Sequence, residues 1–423
     1  MRRPSDLTKP VRRAAAALRR LRDRHEERHR PSGFGFALAD RVDFLDGASW
    51  DALARDASVF MRRDVLRVIE QHGPENLSPR YALIFRGAAP VAALVAQVVS
   101  VSGDRLRRDP SVARANPSPN ALRRALAPAA RAASEPIRER MLVGGNLLCC
   151  GFHGVALAPG ESPAEIWPGI AEALYRLRRA ERLGGQTSVV MVKDLTGRQA
   201  GVEALRRFSY RALETDPDMV LAIDPAWTSY DDYLGALESK YRRNARDQEK
   251  KLAAAGCRTE LLADPSEHAA RLHALYREVH VNAPIRLVTL TESYFPALAR
   301  ALGEHFRCTV IRRGDEILGF VTSIRDGDTA IGYYLGFDRA AAAEGLPLYL
   351  RLLHATIGDA IAWRCSRLSL GRTALAPKAA LGAKPEAMSV WLRHRVPALN
   401  LLVRGVLHAV PHDEPPERSP FKG

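Results

Sequence analysis

The sequence predicts an α/β (α+β) protein of two tandem domains of similar build, each around a mixed, mainly antiparallel sheet. Three observations carry this expectation. A chain of 423 residues exceeds the size at which one hydrophobic core keeps growing, so domains of about 150 to 200 residues are expected. A hydrophobic fraction of 46% with 26% charged residues belongs to a folded globular chain. Each half runs through hairpin strands, a long helix and a later strand, a repeat of pattern without visible sequence identity.

Residues 1–35 are expected to form a basic arm. Its first 30 residues hold eleven basic side chains against four acids, nearly half of the net charge of +15. Such an excess suits anionic partners such as phosphates, nucleic acid or acidic lipid, or else a solvated, partly helical extension. The first domain is expected over 36–226. Short helices around 49–55 and 62–71 precede strands at 81–85 and 91–101, joined by an Arg-Gly-Ala-Ala-Pro turn. Residues 104–136, dense in Arg, Pro, Ser and Ala, are expected as a surface excursion. A strand at 141–150, a helix at 163–183 and a strand at 187–192 follow, with a final helix and strands to residue 223.

The second domain is expected over 227–400, with a tail at 401–423. Ser229 and Asp232 form a capping-box pattern, and Leu234, Leu237, Tyr241, Ala245 and Leu252 recur at helical spacing until Gly256. These predict one helix, and a second covers 268–281. A three-strand meander at 308–312, 317–324 and 330–336 is joined by Arg-Gly-Asp-Glu and Arg-Asp-Gly-Asp turns. A loop at 337–345, a helix at 346–364, a strand at 367–370 and the segment 371–384 complete the pattern.

Three motifs in this half resemble one superfamily. They are Tyr230-Asp-Asp-Tyr-Leu-Gly-Ala-Leu-Glu-Ser-Lys-Tyr-Arg-Arg-Asn-Ala-Arg, Gly332-Tyr-Tyr-Leu-Gly-Phe-Asp, and Leu370-Gly-Arg-Thr-Ala-Leu-Ala-Pro-Lys-Ala-Ala-Leu-Gly. Their order resembles the GNAT acyltransferases, in particular the tandem-GNAT Fem-like proteins and the acetyltransferase branch of bacterial polysaccharide and cell-envelope operons. The resemblance implies an acyltransferase moving an acyl group from acyl-CoA to an amine or hydroxyl of an amino sugar, peptide or cell-envelope precursor. Acyl-CoA would be a co-substrate, with no permanently bound cofactor. Two alternatives stay open: aminoacyl transfer from charged tRNA, and a catalytically silent tandem-GNAT scaffold.

In such a fold the loop after the fourth strand holds the coenzyme A pyrophosphate, because the first amides of a helix and its dipole favour phosphate oxygens. Gly336, Gly345 and Leu346 are the candidates here. The loop reads Asp338-Arg-Ala-Ala-Ala-Ala-Glu-Gly-Leu in place of the usual Gln/Arg-x-x-Gly-x-Gly/Ala, which leaves another activated donor open. Asp338 is the candidate base, and Tyr334 and Tyr349, with Tyr333, are candidate acids. Arg242, Arg243 and Arg246 are candidate phosphate contacts to the substrate, set against an exposed helix face with ion pairs. Arg372, Thr373 and Lys378 would face the cleft after Gly371 and hold an anionic group, or else neutralise neighbouring acids.

Two polar clusters, His280 with Asn282 and Arg286, and His153 between glycines, are weaker candidates. The five cysteines show no CxxC pair, which supports neither a disulfide framework nor a zinc ribbon. A nucleophilic role for adjacent Cys149 and Cys150 is disfavoured, since alternation on a strand would bury at least one. No HExxH, GxSxG or P-loop pattern occurs, and no metal is expected. Without a signal-like apolar region or a spanning segment, the expected location is the cytoplasm, with peripheral attachment to the inner membrane surface open. The expected partners are a small-molecule or envelope-precursor substrate, and tRNA or an anionic membrane through the arm.

Overall fold

A computed structural model describes residues 15–20, 22, 23, 26, 30–102, 138–197, 199–283, 286–396, 399–400 and 418–422. The excursion at 104–136, most of the basic arm and most of the tail lie outside the described residues. The strands are β1 (Gly35–Ala39), β2 (Leu77–Arg86), β3 (Ala89–Ser102), β4 (Arg138–Gly144), β5 (Val155–Leu157), β6 (Thr187–Thr196), β7 (Arg211–Ala222), β8 (Cys257–Leu261), β9 (Phe306–Arg313), β10 (Glu316–Asp326), β11 (Thr329–Phe337), β12 (Arg367–Ser369) and β13 (Lys384–His394). The helices are α1 (Gly47–Ala54), α2 (Arg63–His72), α3 (Pro163–Ala180), α4 (Tyr230–Ala236), α5 (Ser239–Ala254), α6 (Ala269–His280), α7 (Tyr294–Leu302), α8 (Arg339–Ala343), α9 (Leu348–Ala362) and α10 (Leu375–Ala380).

All strands join one sheet in the order β1-β2-β3-β4-β6-β13-β7-β12-β11-β10-β9-β8, with β5 beside β3. The pairs β4–β6 and β11–β12 are parallel and the rest antiparallel, so the mixed, mainly antiparallel reading holds. The middle of this order shows an exchange. Strand β13, the last among the described residues, pairs with β6 of the first half on one side and β7 on the other. Strand β7, the last of the first half, pairs in turn with β12 of the second. Each half thus borrows a strand to finish its sheet.

Local sequence explains the hairpins. Gly314 and Gly327 supply the turn conformations between β9 and β10 and between β10 and β11, and the strands between them alternate into buried runs. Helix α2 buries Val65, Leu66, Val68 and Ile69 and turns Arg63 and Arg67 outward, where they pair with Asp51 and Asp43. Its apolar face meets α7, and the same core joins Trp50, Phe60 and Tyr81 of the first half to Tyr294, Phe295 and Phe320 of the second. Fully buried aromatic rings contribute about 1.5 to 3 kcal/mol each, so the halves are fastened by a shared core.

Three expectations change. The strand expected at 141–150 stops at Gly144, because Gly145 adopts a φ of +113° and the chain leaves the sheet. The single helix expected from Ser229 breaks after Ala236, although its capping box forms. At the break Leu237 bridges to Phe421, and the Glu238 amide donates to the Pro420 carbonyl at 2.8 Å, so an extended piece of the tail takes over those backbone groups. Residues 371–384 hold α10, and the strand that follows them, β13, has no counterpart in the sequence reading.

Candidate active site

Strands β11 and β12 are paired only over 329–331 and 367–369. Beyond this point β11 continues beside β10, whereas the other strand ends and turns away at Gly371, whose φ of +76° is left-handed. The two diverge, and a cavity of about 310 Å³ opens between them. Its walls come from β11, from the start and middle of α9, from the turn at 370–373, from Lys378 of α10, and from residues 147–150 of the first half.

A bulge shapes the β11 wall. Register shifts between Val321 and Ser323, so that Thr322 faces an extra residue, and its hydroxyl both donates to the Tyr334 carbonyl and accepts from the Tyr334 amide at 3.0 Å. Strict alternation would send consecutive tyrosines to opposite faces. Here Tyr333 and Tyr334 both line the cavity, with ring centroids 4.6 Å apart and planes nearly perpendicular. Tyr333 shares a 2.7 Å hydrogen bond with the Tyr294 hydroxyl. Burial holds both phenols well above their usual pKa, and pushes that of Tyr349 up to about 12, so all three stay protonated donors.

The turn after β12 is pinned from two sides. Asp218 of β7 accepts from the Gly371 amide at 2.9 Å and from the Ser369 hydroxyl at 2.7 Å. The Lys378 ammonium donates to the Gly371 carbonyl at 3.0 Å. Burial raises the Asp218 pKa against those hydrogen bonds. Lys378 is 3% exposed, and burial pulls its pKa down to about 8, against the attraction of Asp218. Near neutral pH a useful fraction of this amine is neutral and can accept a proton, whereas an exposed lysine is almost wholly protonated.

Beside them lies a second charge group. Asp194, fully buried at a φ of +54°, pairs with its neighbour Lys193 at 2.6 Å and with Arg372 across the junction of the halves. Burial works to raise the Asp194 pKa, but the charges of Lys193 and Arg372 overcome it and keep the carboxylate below its usual range. Lys193 also donates to the carbonyls of Asn146, Cys149 and Gly151 at 2.9, 2.6 and 3.2 Å, which fixes the wall at 147–150. Burial pushes the Cys150 thiol up to about 12 and raises Cys149 further, so neither is a ready thiolate.

The structure brings Tyr334, Tyr349, Arg372, Thr373 and Lys378 to one cavity. The others fall elsewhere. Asp338 caps α8, accepting from the Ala341 amide at 3.0 Å, and pairs with Arg271 at 3.3 Å; these contacts hold its pKa below the usual range despite some burial. Gly336 gives room to a helix, since a Cβ there would lie 2.4 Å from the backbone of Leu275 in α6. Gly345 turns the chain ahead of α9, and Leu346 packs into an apolar cluster. Arg243 and Arg246 project from the exposed face of α5, and Arg242 donates to the Leu237 carbonyl at 2.9 Å. His153 sits between halves, 3.3 Å from Asp326 and hydrogen-bonded to Ser58. His280 stacks on Tyr276, and Arg286 donates to the Val281 carbonyl.

Residues 239–379, about a third of the chain and including most of this cavity's walls, match the acetyltransferase (GNAT) domain family. This segment is a GNAT domain, and the protein an acyltransferase. The superfamily resemblance carried by the three motifs agrees with it. Among solved structures the chain is similar to FemX, with 10% identity and a TM-score of 0.46 over 80% of this chain and 96% of that one. It is similar to a tandem GNAT protein from the clavulanic acid biosynthesis pathway, with 13% identity and a TM-score of 0.47 over 86% and 99%. It also resembles the C-terminal domain of a putative lysylphosphatidylglycerol synthetase from Agrobacterium fabrum, with 12% identity and a TM-score of 0.45 over 84% and 94%. No curated protein matches.

Sequence reasoning missed Asp194, Lys193 and Asp218, which brace the walls of this cavity, and Leu148, which lines it. The first three had a signal. A Lys-Asp pair ends the apolar run Thr187-Ser-Val-Val-Met-Val, and Asp218 precedes Met219-Val-Leu-Ala, so each places a charge inside an otherwise buried strand. Leu148 offered none.

Proposed function

We propose that the cavity between β11 and β12 transfers an acyl group from an acyl-CoA donor to an amine or hydroxyl of an amino sugar, peptide or cell-envelope precursor. The observation that carries this reading is Lys378, a buried amine of lowered pKa on the wall of a cleft rich in protonated phenols. A thioester donor supplies an electrophilic carbonyl and a thiol leaving group. For its pyrophosphate the turn at 338–341 is already occupied by the Asp338 carboxylate. The start of α9 fits better: no side chain caps it, a Cβ at Gly345 would meet open space, and Tyr349 of its first turn lines the cavity.

In this reading neutral Lys378 takes the proton of the acceptor nucleophile, because a base works best with a pKa near the working pH. The base role read for Asp338 passes to Lys378, since capping and Arg271 hold the Asp338 carboxylate as a weak proton acceptor. Arg372, kept charged by Asp194, faces the anionic carbonyl oxygen or an acidic group of the acceptor. The Tyr334 phenol donates to the departing sulfur. The first half supplies the wall at 147–150 and the counter-charge of Arg372.

The test is thiol release from acetyl-CoA in the presence of candidate acceptors, with donor binding followed by calorimetry. Binding that survives Lys378→Met while turnover is lost is expected. Absence of binding by any acyl-CoA would remove the donor assignment, and salt-sensitive binding of charged tRNA in its place would move the reading to aminoacyl transfer.

A further inference from the structure

At the far end of the sheet from the cleft, the last turn of α3 and the end of β13 converge on two adjoining hollows of about 370 and 500 Å³. Thr187 begins β6 at this end and Asp194 lies seven residues along it, roughly 20 Å away at 3.3 Å per residue. The hollows therefore lie apart from the cavity described above. Arg178, Arg179 and Arg182 approach from the helix side, and Arg393 and Arg395 from the strand. Among the described residues none of these guanidiniums pairs with a carboxylate, unlike Arg80, Arg140 and Arg176 nearby. Arg178 and Arg393 are half-buried together, and burial followed by the Arg393 charge lowers the Arg178 pKa. Like charges packed this way are relieved by an anion.

The rim is apolar. Leu183 stands fully exposed beside Arg182, and Val396 and Leu399 are exposed beside Arg395. The Arg395 amide donates to the Ser188 carbonyl at 2.9 Å, which ties the two rim segments to one face. Exposed aliphatic side chains next to unpaired cations have a specific physical use. The aliphatic groups enter the headgroup boundary of a bilayer while the guanidiniums meet lipid phosphates. A soluble polyanion would gain from the cations and nothing from Leu183 or Val396.

We propose that this face docks the protein on an anionic phospholipid surface, with Arg179, Arg182 and Arg395 on the phosphates and Leu183 and Val396 inserted at the headgroup level. This site lies on the folded body, meets the basic arm at Arg30 and Pro31, and goes beyond the acyl-transfer reading.

The experiment is sedimentation of the full chain with vesicles of phosphatidylcholine alone and of phosphatidylcholine with phosphatidylglycerol. Binding to the mixed vesicles only, weakened by raising salt from 0.1 to 0.5 M, is expected on the order of the Debye screening change. The variant Arg179→Glu/Arg182→Glu/Arg395→Glu should weaken it at least ~10-fold, from about 1 kcal/mol per charge near the surface. Leu183→Ser should weaken it several-fold, with thermal unfolding unchanged. Replacing Arg12, Arg13, Arg19 and Arg20 by Gln should leave most of the binding. Binding that depends on those four and ignores the triple variant would overturn the proposal, as would calorimetric binding of inorganic pyrophosphate, sensitive to the triple variant, by a chain that does not bind vesicles. Acyl transfer to a water-soluble acceptor should be unaffected by the triple variant, so the two readings fail separately.

Discussion

The two halves each contain a parallel strand pair that could open into a cleft, and they treat it differently. In the second half β11 and β12 separate and leave a cavity. In the first, β4 and β6 stay paired through Gly144 and Val192, and the chain beyond folds back over the opening. There Gly154 sits so close to Gly145 that a Cβ would lie 2.4 Å from its Cα, and Lys193 draws the carbonyls of 146, 149 and 151 inward. The loop that plugs one cleft becomes the wall of the other. The route of one loop and one buried lysine thus separates an open cleft from a closed one on a common architecture.

The largest effect that would break this contrast is expected at Lys378. Lys378→Met should lower kcat by about 10²-fold or more, and the wild-type pH profile of kcat/KM should rise through the Lys378 pKa of about 8 to a plateau above it. Stability should move the opposite way. A lysine whose folded pKa lies below its ordinary 10.5 destabilises the fold fully below about pH 8, and the cost fades as pH rises toward 10.5. Calorimetric unfolding should show the Met variant no less stable at pH 7, with any gain shrinking by pH 10. A variant that loses both activity and stability equally at pH 7 would deny Lys378 a chemical role.

Asp194→Asn comes next, and it probes the plugged half. Asn tolerates the left-handed backbone, but Lys193 and Arg372 would lose their counter-charge, at a cost of about 3 to 5 kcal/mol. The Asp194 pKa is depressed, so its stabilisation is present above the ordinary carboxylate range and is lost only as pH falls through the lower folded value. The stability gap measured by denaturant should therefore be flat from pH 5 to 8.

Arg372→Ala should raise acceptor or donor KM by about tenfold, from the 1 to 3 kcal/mol of a charge-assisted hydrogen bond. Lys193 remains to neutralise Asp194, so unfolding should shift less than in Asp194→Asn. The smallest effect belongs to Arg243→Ala with Arg246→Ala. Both side chains are exposed on α5, and stability should change by no more than about 0.5 kcal/mol. A fall in acceptor affinity in that double variant would extend the site across the helix face.

What could be read from the sequence was local. The meander β9 to β11 followed from its turns, and Gly371, Arg372 and Lys378 from the residues that leave a strand and carry charge. What could not be read depended on distant pairing. Nothing within 384–394 or 211–222 indicates that β13 and β7 change places, because their partners lie far along the chain. The placement of Tyr333 beside Tyr334 needed the bulge at Thr322, which alternation alone forbids. Asp194 and Lys193 were visible as charges in an apolar strand, but their partner, Arg372, belongs to the other half.

The exchange of β7 and β13 also sets an order of events during synthesis. Strand β6 leaves the ribosome about 200 residues before β13 is complete, an interval of about 10 to 40 s at the usual 5 to 20 residues per second. Throughout that time the nascent first half carries an unsatisfied strand edge, which is the kind of edge that recruits other chains. Maturation therefore hinges on the last structured strand to emerge, and a ribosome that stalls before residue 384 leaves both halves unfinished at once.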